Sequence, residues 1–405
     1  MSGAPGRWLS ILGIGEDGLD GLSPAARKLL AQAELVVGGA RHLALVGELK
    51  CETLAWPSPM HDALPRIAAR RGRPVVVLAS GDPFFYGVGT LLTQHVAVEE
   101  IFCLPQPSSF SLAASRLGWS LQDCALVTLH GRALERVIPH LAPRAKIIAL
   151  SWDGETPNKL CDLLVARGMG GSRVVAFEAM GGLREARHEA PARDWRHANV
   201  DPLNVVAVDV EAEAGARLIP HAPGLPDEWF EHDGQITKRD IRAITLSALG
   251  PLAGELLWDV GAGSGSIAIE WLLAAPRARA VAIEANPTRA ARALRNAHAL
   301  GTPDLQMVEG RAPQALDGLP TPDAIFVGGG ATAPGAMDKA MAALRSGGRL
   351  VVNAVTLETQ ALLTSLHSER GGDLVSIQIG HAVPVGRFSG LRQAMPVLQW
   401  RWSKP

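Results

Sequence analysis

A strand that turns on three alternate glycines straight into a helix is compatible with few folds, and residues 254–273 read that way. "GELLWDV" (Gly254 to Val260) is a short apolar run, Gly261, Gly263 and Gly265 follow at G-x-G-x-G spacing, and "SIAIEWLL" (Ser266 to Leu273) continues with helical periodicity. Glycines there let the backbone take positive φ and approach a ligand closely. The helix start adds unpaired N–H groups. The expected unit is the first β-turn-α of a doubly wound sheet, with a ligand at the turn. A dinucleotide fingerprint, G-x-G-x-x-G, needs its third glycine one place later than Gly265. The next strand, "VAIEAN" (Val281 to Asn286), ends with Glu284, where a carboxylate accepts from both hydroxyls of a ribose.

The same alternation of short β-branched runs and helical stretches fills the rest of the 405 residues. "RPVVVLAS" (Arg73 to Ser80) and "AKIIALS" (Ala145 to Ser151) read as strands, and "SPAARKLLAQA" (Ser23 to Ala33) as a helix. "DAIFVGGG", "GRLVVNAV" and a terminal strand with Leu398, Trp400 and Trp402 on one face continue the pattern. Periodicity stops only from Glu211, where Pro220, Pro223 and Pro226 bar helix and central strand. Two α/β domains are therefore expected, residues 1–213 and 220–405.

Composition removes several function classes. Lys plus Arg at 39 against Asp plus Glu at 40 leaves a net charge of -1, without the basic excess of a nucleic-acid binder. The apolar "WLSILGIG" near the start is too short to cross a membrane and lacks a cleavage-like site. Cys51, Cys103, Cys124 and Cys161 show no C-x-x-C spacing and no His pair has H-x-x-x-H spacing, so no metal site is expected. Buried thiols in a reducing cytoplasm are the expected state.

The G-x-G-x-G turn behind Asp259, with Glu284 on the next strand, resembles the first motif of Rossmann-like S-adenosylmethionine (SAM) methyltransferases. "DAIFVGGG" stands where amino-methylating enzymes carry N/D-P-P-Y/F, which points to a carbon or oxygen nucleophile. In the first half, "LGIGEDGLDG" and "VVVLASGDPFFYGVG" resemble the G-x-G-P-G start and the S-G-D-P-x-x-Y/F-G loop of the tetrapyrrole methylase family, with Glu16 where proline is usual. "PSSFSLAASRLGW" (Pro107 to Trp119) and "LHGR" (Leu129 to Arg132) resemble the subfamily acting on C5 of the corrin precursor. "PGLPDEWFEHDGQITKRDIRA" (Pro223 to Ala243), "IEANP", "VEGRAP" (Val308 to Pro313) and "GGRLVVNAVTLET" (Gly347 to Thr359) resemble the partner family that methylates C15 and removes the C12 acetate carboxylate.

A fusion of the two resembles the bifunctional precorrin methyltransferases of aerobic cobalamin synthesis. The fold implied is a two-lobed tetrapyrrole methylase domain followed by a doubly wound Rossmann-like methyltransferase domain. The reaction implied is methylation of C5 and C15 of precorrin-6B with decarboxylation of the C12 acetate, giving precorrin-8. RNA or a modified protein residue is the other substrate class open to such folds. A SAM sensor without catalysis would not need two unrelated SAM sites. The resemblance places SAM against Gly13, Gly81, Asp82, Pro83, Phe84 and Ser109 in the first half. In the second it places SAM against Thr237, Gly261, Ala262, Gly263, Ser264, Gly265, Glu284 and Ala312, with Glu284 where aspartate is usual and Arg311 where an acid is common. Stand-alone relatives of the second half imply a homo-oligomer.

Methyl transfer to an electron-rich bridging carbon needs in-line placement more than a base, so no single indispensable nucleophile is expected. Decarboxylation uses the conjugated substrate as its electron sink and requires an oriented carboxylate and a proton. A macrocycle with many carboxylates calls for Arg or Lys at its rim; Arg132, Arg184, Arg239, Arg242 and Arg387 are the candidates, although for any one of them a solvated surface charge is the more common role. For His130, a proton donor and a structural histidine are both open.

Overall fold

A computed structural model describes residues 6–405, so the first five residues of the expected 1–213 domain lie outside the described residues. The chain forms two compact units, which divide between Arg217 and Leu218 within the Pro-rich stretch; the short segment Glu135–Pro139 groups with the second.

The first unit holds two five-stranded sheets. One contains β1 (Leu9–Ile14), β2 (Leu35–Gly38), β3 (Glu52–Ala55), β4 (Val75–Ser80) and β5 (Ile101–Leu104), in the order β3-β2-β4-β1-β5 and all parallel. Its inner strands β1, β2 and β4 are apolar and buried on both faces, as a sheet covered on both sides requires. Leu9, Ile11, Val75 and Val77 pack into one core, while Leu12, Ile14, Val76 and Leu78 pack into another. The predicted helix after β1 is Pro24–Ala31; Ser23 caps it by accepting from the Ala26 N–H, and proline occupies its first position. The other sheet contains β6 (Cys124–Thr128), β7 (Lys146–Leu150), β8 (Arg173–Glu178), β9 (Ala186–Pro191) and β10 (Asn204–Asp209), ordered β6-β7-β10-β8-β9. Among its neighbouring strands only β6 and β7 pair in parallel. These sheets are the two lobes.

The second unit carries a seven-stranded sheet in the order β13-β12-β11-β14-β15-β19-β16. Its members are β11 (Leu256–Val260), β12 (Arg279–Glu284), β13 (Gln306–Glu309), β14 (Ala324–Val327), β15 (Arg349–Ala354), β16 (Asp373–Ile377) and β19 (Val397–Ser403). Five strands are parallel in sequence, and β19 runs antiparallel between β15 and β16. Leu256, Trp258 and Val260 face one core and Leu257 the other. Trp400 is fully buried, and Leu398 and Trp402 pack on the same cluster, so the terminal strand presents the face expected of it. Strand order reverses between β11 and β14, the switch point at which open α/β sheets bind ligands. A separate hairpin, β17 (Gly380–Val385) and β18 (Phe388–Gln393), completes the unit. No helix of the described residues is long and apolar enough to cross a membrane.

Candidate functional site

In the second unit the glycine turn closes on the strand beyond the switch point. Gly261, Gly263 and Gly265 all have positive φ. A Cβ on Gly261 would lie 2.7 Å from the Gly329 N atom, so the two loops meet backbone to backbone and only glycine fits. Glu284, 6% exposed at the end of β12, ties the turn down: its Oε2 accepts from the Gly263 N–H at 2.8 Å and its Oε1 from Asn286 N–H at 2.9 Å. Each oxygen keeps a second lone pair for a ligand. Asp259, one strand over, accepts from Ala268 N–H at 3.0 Å and so anchors the helix Ser266–Ala274. Burial pushes its carboxyl up to about 7, offset in part by the Ala268 bond and reinforced by the nearby Glu284 charge.

A cavity of about 1130 Å³ opens in front of this turn. It exceeds the roughly 300–1,000 Å³ of an ordinary small-molecule pocket, so it has room for a nucleoside cofactor and part of a larger ligand. Thr237, Gly261, Ala262, Gly263, Glu284 and Ala312 all line it. Ser264 and Gly265 do not belong to that lining. Ser264 is buried at 1%, and Gly265 packs its α-carbon face against Ala293 and Ile269, so these two serve the join between turn and helix. Lys238, Arg239, Arg289, Arg311 and His381 bring cationic or protonatable groups to the wall, and Arg239 is thus the rim candidate that reaches it.

Arg242 does not belong to the rim, nor is it a solvated surface charge. Its guanidinium is fully buried: Nε donates to Glu270 at 2.6 Å, Nη1 to Asp227 at 3.0 Å and to the Thr237 carbonyl, and Nη2 to the Leu225 carbonyl. Glu270, 2% exposed, also accepts from Gly224 and Leu225 N–H groups. The Phe230 ring lies 4.8 Å from the guanidinium carbon. Residues 223–238 form no strand, and this ion pair holds them as a strap whose Pro226, Gln235 and Thr237 line the cavity. A second buried network sits beneath Asn353, another lining residue: its amide donates to Thr245 Oγ1 at 2.9 Å and accepts from Gln399 at 2.8 Å. Neither network has a local sequence signature.

In the first unit the glycine loops also converge. A Cβ on Gly13 would lie 2.0 Å from the Gly81 carbonyl oxygen and 2.5 Å from the Gln106 N atom, so the ends of β1 and β4 and the segment before the helix Ser109–Leu117 close on one point. Asp82 Oδ1 accepts from the Phe84 N–H at 2.9 Å, fixing the turn through Pro83. Phe84 is 42% exposed, whereas Pro83 is buried and Ser109 half-buried. Arg184 pairs with Asp201, Arg132 and His130 are exposed beyond β6, and Arg387 stacks over Phe388 on the hairpin.

Comparison with known proteins agrees with this division. Residues 9–195 match the model of tetrapyrrole (corrin/porphyrin) methylases and residues 228–404 that of the precorrin methyltransferase domain. A Sinorhizobium protein named precorrin-6Y C(5,15)-methyltransferase [decarboxylating] is 54% identical over 98% of this chain and 96% of its own length. A Mycobacterium tuberculosis protein of the same name is 39% identical over 97% and 99%. The crystal structure of the C-terminal domain of precorrin-6Y C5,15-methyltransferase from Rhodobacter capsulatus covers 46% of this chain and 100% of its own at 45% identity, with a TM-score of 0.44. On this full-length similarity, the chain belongs to the family of precorrin-6Y C(5,15)-methyltransferases (decarboxylating).

Proposed function

We propose that the protein methylates C5 and C15 of precorrin-6Y and removes the C12 acetate carboxylate, giving precorrin-8, with SAM as methyl donor. The observation that carries this is the end-to-end match to relatives whose name contains both methylations and the decarboxylation. Precorrin-6B, the substrate expected from sequence, differs from their precorrin-6Y only in wording. The first unit, expected as residues 1–213, takes the C5 step, and the second, expected as 220–405, takes C15 methylation and decarboxylation.

The bound cofactor supplies an electrophilic methyl on a sulfonium. In the second unit Gly261, Ala262 and Gly263 leave the space it needs, Glu284 offers its spare lone pairs to a ribose, and Thr237 and Ala312 close the sides. In the first unit Gly13, Gly81, Asp82, Pro83, Phe84 and Ser109 form the corresponding cradle. These residues position rather than react. Lys238, Arg239 and Arg311 suit a carboxylate-rich macrocycle and would orient the departing carboxylate; as it leaves as carbon dioxide, the C–C bonding pair passes into the conjugated ring and a proton then completes the methyl group. No side chain is assigned as a covalent nucleophile. The hairpin exposes Val385, Phe388 and Leu391, and two strands alone bury too little apolar surface to stand in water, which favours a homo-oligomer built on this unit. Four free cysteines fit a cytoplasmic location.

Anaerobic incubation of the reduced precursor with SAM, followed by mass spectrometry, should show two methyl gains and one carboxyl loss; a product with no carboxyl loss would refute the second assignment. Expressed separately, residues 1–213 and 220–405 should each be soluble, since each has its own sheets and core, and should divide the reactions as stated. Aggregation of either half would place the boundary elsewhere. Asp82→Ala removes the bond that fixes the turn before Phe84, and C5 methylation should fall about tenfold, for a charged hydrogen bond of about 1.5 kcal/mol. Equal loss of all three reactions would show the sites to be coupled.

A further inference from the structure

One cluster at the carboxyl edge of the first parallel sheet has no part in the cofactor cradle. Arg41, in the helix Ala40–Val46 that follows β2, donates to Glu16 on the loop after β1 and to Ser80 Oγ, 3.0 Å away at the end of β4. The same guanidinium lies 3.0 Å from His42 Nε2, which is 2.9 Å from Ser80 Oγ. From the second lobe, Arg184 comes within 3.7 Å of Glu16 while pairing with Asp201. Two guanidiniums therefore converge on Glu16, with Asp201 the nearer partner of Arg184. The Glu16 side chain is 11% exposed against 37% for Arg41 and 64% for Arg184, so the acid lies inside and the cations reach outward.

His42 adds a hydrogen-bonding wall and no charge: burial, and then Arg41, pull its imidazole down to about 4. Burial, and then Arg184, lower the pKa of Arg41 in the same way, the mark of two like charges held together in partly dry surroundings. Such a pair gains from a further carboxylate, and the carboxyl edge of a parallel sheet is where ligands arrive.

We propose that Arg41 and Arg184 form the subsite for one side-chain carboxylate of the tetrapyrrole, with Glu16 an internal carboxylate that the substrate competes against. This rests on the reading of the first unit as the C5 methylase. The exchange is a swap of ion-pair partners: no covalent bond forms or breaks, and Ser80 and His42 keep the Arg41 fork aimed while it occurs. Nothing local in the sequence marks Arg41, whose partners stand 25, 39 and 143 positions away.

The test is steady-state C5 methylation by the full chain with limiting precorrin substrate. Arg41→Gln and Arg184→Gln should each raise KM about tenfold with kcat unchanged, as for loss of one charge-assisted bond. The double variant should fall short of the product of the two, because both act on one carboxylate. Arg41→Lys, which keeps the charge and loses the fork, should recover part of the effect. Glu16→Gln should lower KM. A KM within twofold of the parent for Arg41→Gln would overturn the proposal, as would a rise in KM for Glu16→Gln matching that of the arginine variants. Thermal melts of each variant separate binding from folding. Titration with an octacarboxylate porphyrin, read by its fluorescence, examines the subsite without turnover. Arg41-dependent binding in a chain that transfers no methyl to C5 would retain the subsite and refute the methylase reading, and binding indifferent to Arg41 would refute the subsite.

Discussion

Glu284→Ala should weaken SAM in the second unit by about a hundredfold or more. The carboxylate holds the glycine turn through Gly263 and the next loop through Asn286, and two bonds to a charged acceptor at about 1.5–3 kcal/mol each convert to that factor or beyond. Glu284→Gln keeps the size and one acceptor oxygen, and should cost about tenfold. Calorimetric titration should then show one of two SAM sites lost. In turnover, the variant should accumulate a product with the C5 methyl and an intact C12 acetate. Gly263→Val should reach the same state independently, because a Cβ there would press to 3.1 Å on the Gln235 carbonyl at a φ of +58°. Production of the doubly methylated, decarboxylated product at parental rates by Glu284→Ala, with SAM limiting, would remove the site assignment.

Arg242→Met should destabilise the second unit by about 3–5 kcal/mol, the usual cost of leaving one member of a buried ion pair alone. Glu270 would remain at 2% exposure with no cation, and the strap would lose its bonds at Leu225, Asp227 and Thr237. The measurement is the denaturant midpoint of the second unit. Replacing both partners, Arg242→Met with Glu270→Leu, should recover much of the loss, since paired apolar groups of similar volume often match a buried pair. SAM affinity should not recover in the double variant, because the strap that carries Thr237 remains unpinned. Full stability in the single variant would show that the pair contributes nothing.

Some of this was legible from the residues alone. The glycine turn, its flanking strand and helix, and Glu284 form a pattern contained within thirty-one residues, Gly254 to Glu284, and the structure places all of it at the switch point. Alternating apolar runs marked the sheets for the same reason: their physics is local. Arg242 shows where such reading ends. Its spacing in a helix gives no sign that the proline-rich segment folds back over it, so a charge that reads as solvated or substrate-facing is fully buried. Arg41 and the Thr245, Asn353 and Gln399 network belong to the same class, side chains whose meaning comes from partners on distant strands. Ser264 and Gly265 sit inside a motif and yet do not line its cavity, because after Gly263 the turn runs inward to the helix start, where Ser264 is buried and Gly265 packs on Ala293 and Ile269.

The antiparallel strand β19 also governs how the second unit is born. Residues Val397–Ser403 slot between β15 and β16 and carry Trp400 into the core. Until that stretch emerges from the ribosome, β15 offers a bare edge and β16 has no neighbour to pair with. A nascent chain at that stage is sticky along its flank. The first unit, whose last strand ends at Asp209, can finish folding while nearly two hundred residues are still being threaded out. Synthesis thus delivers a finished lobe pair joined to an open sheet, and the interval before β19 arrives is when this protein most needs protection from its neighbours.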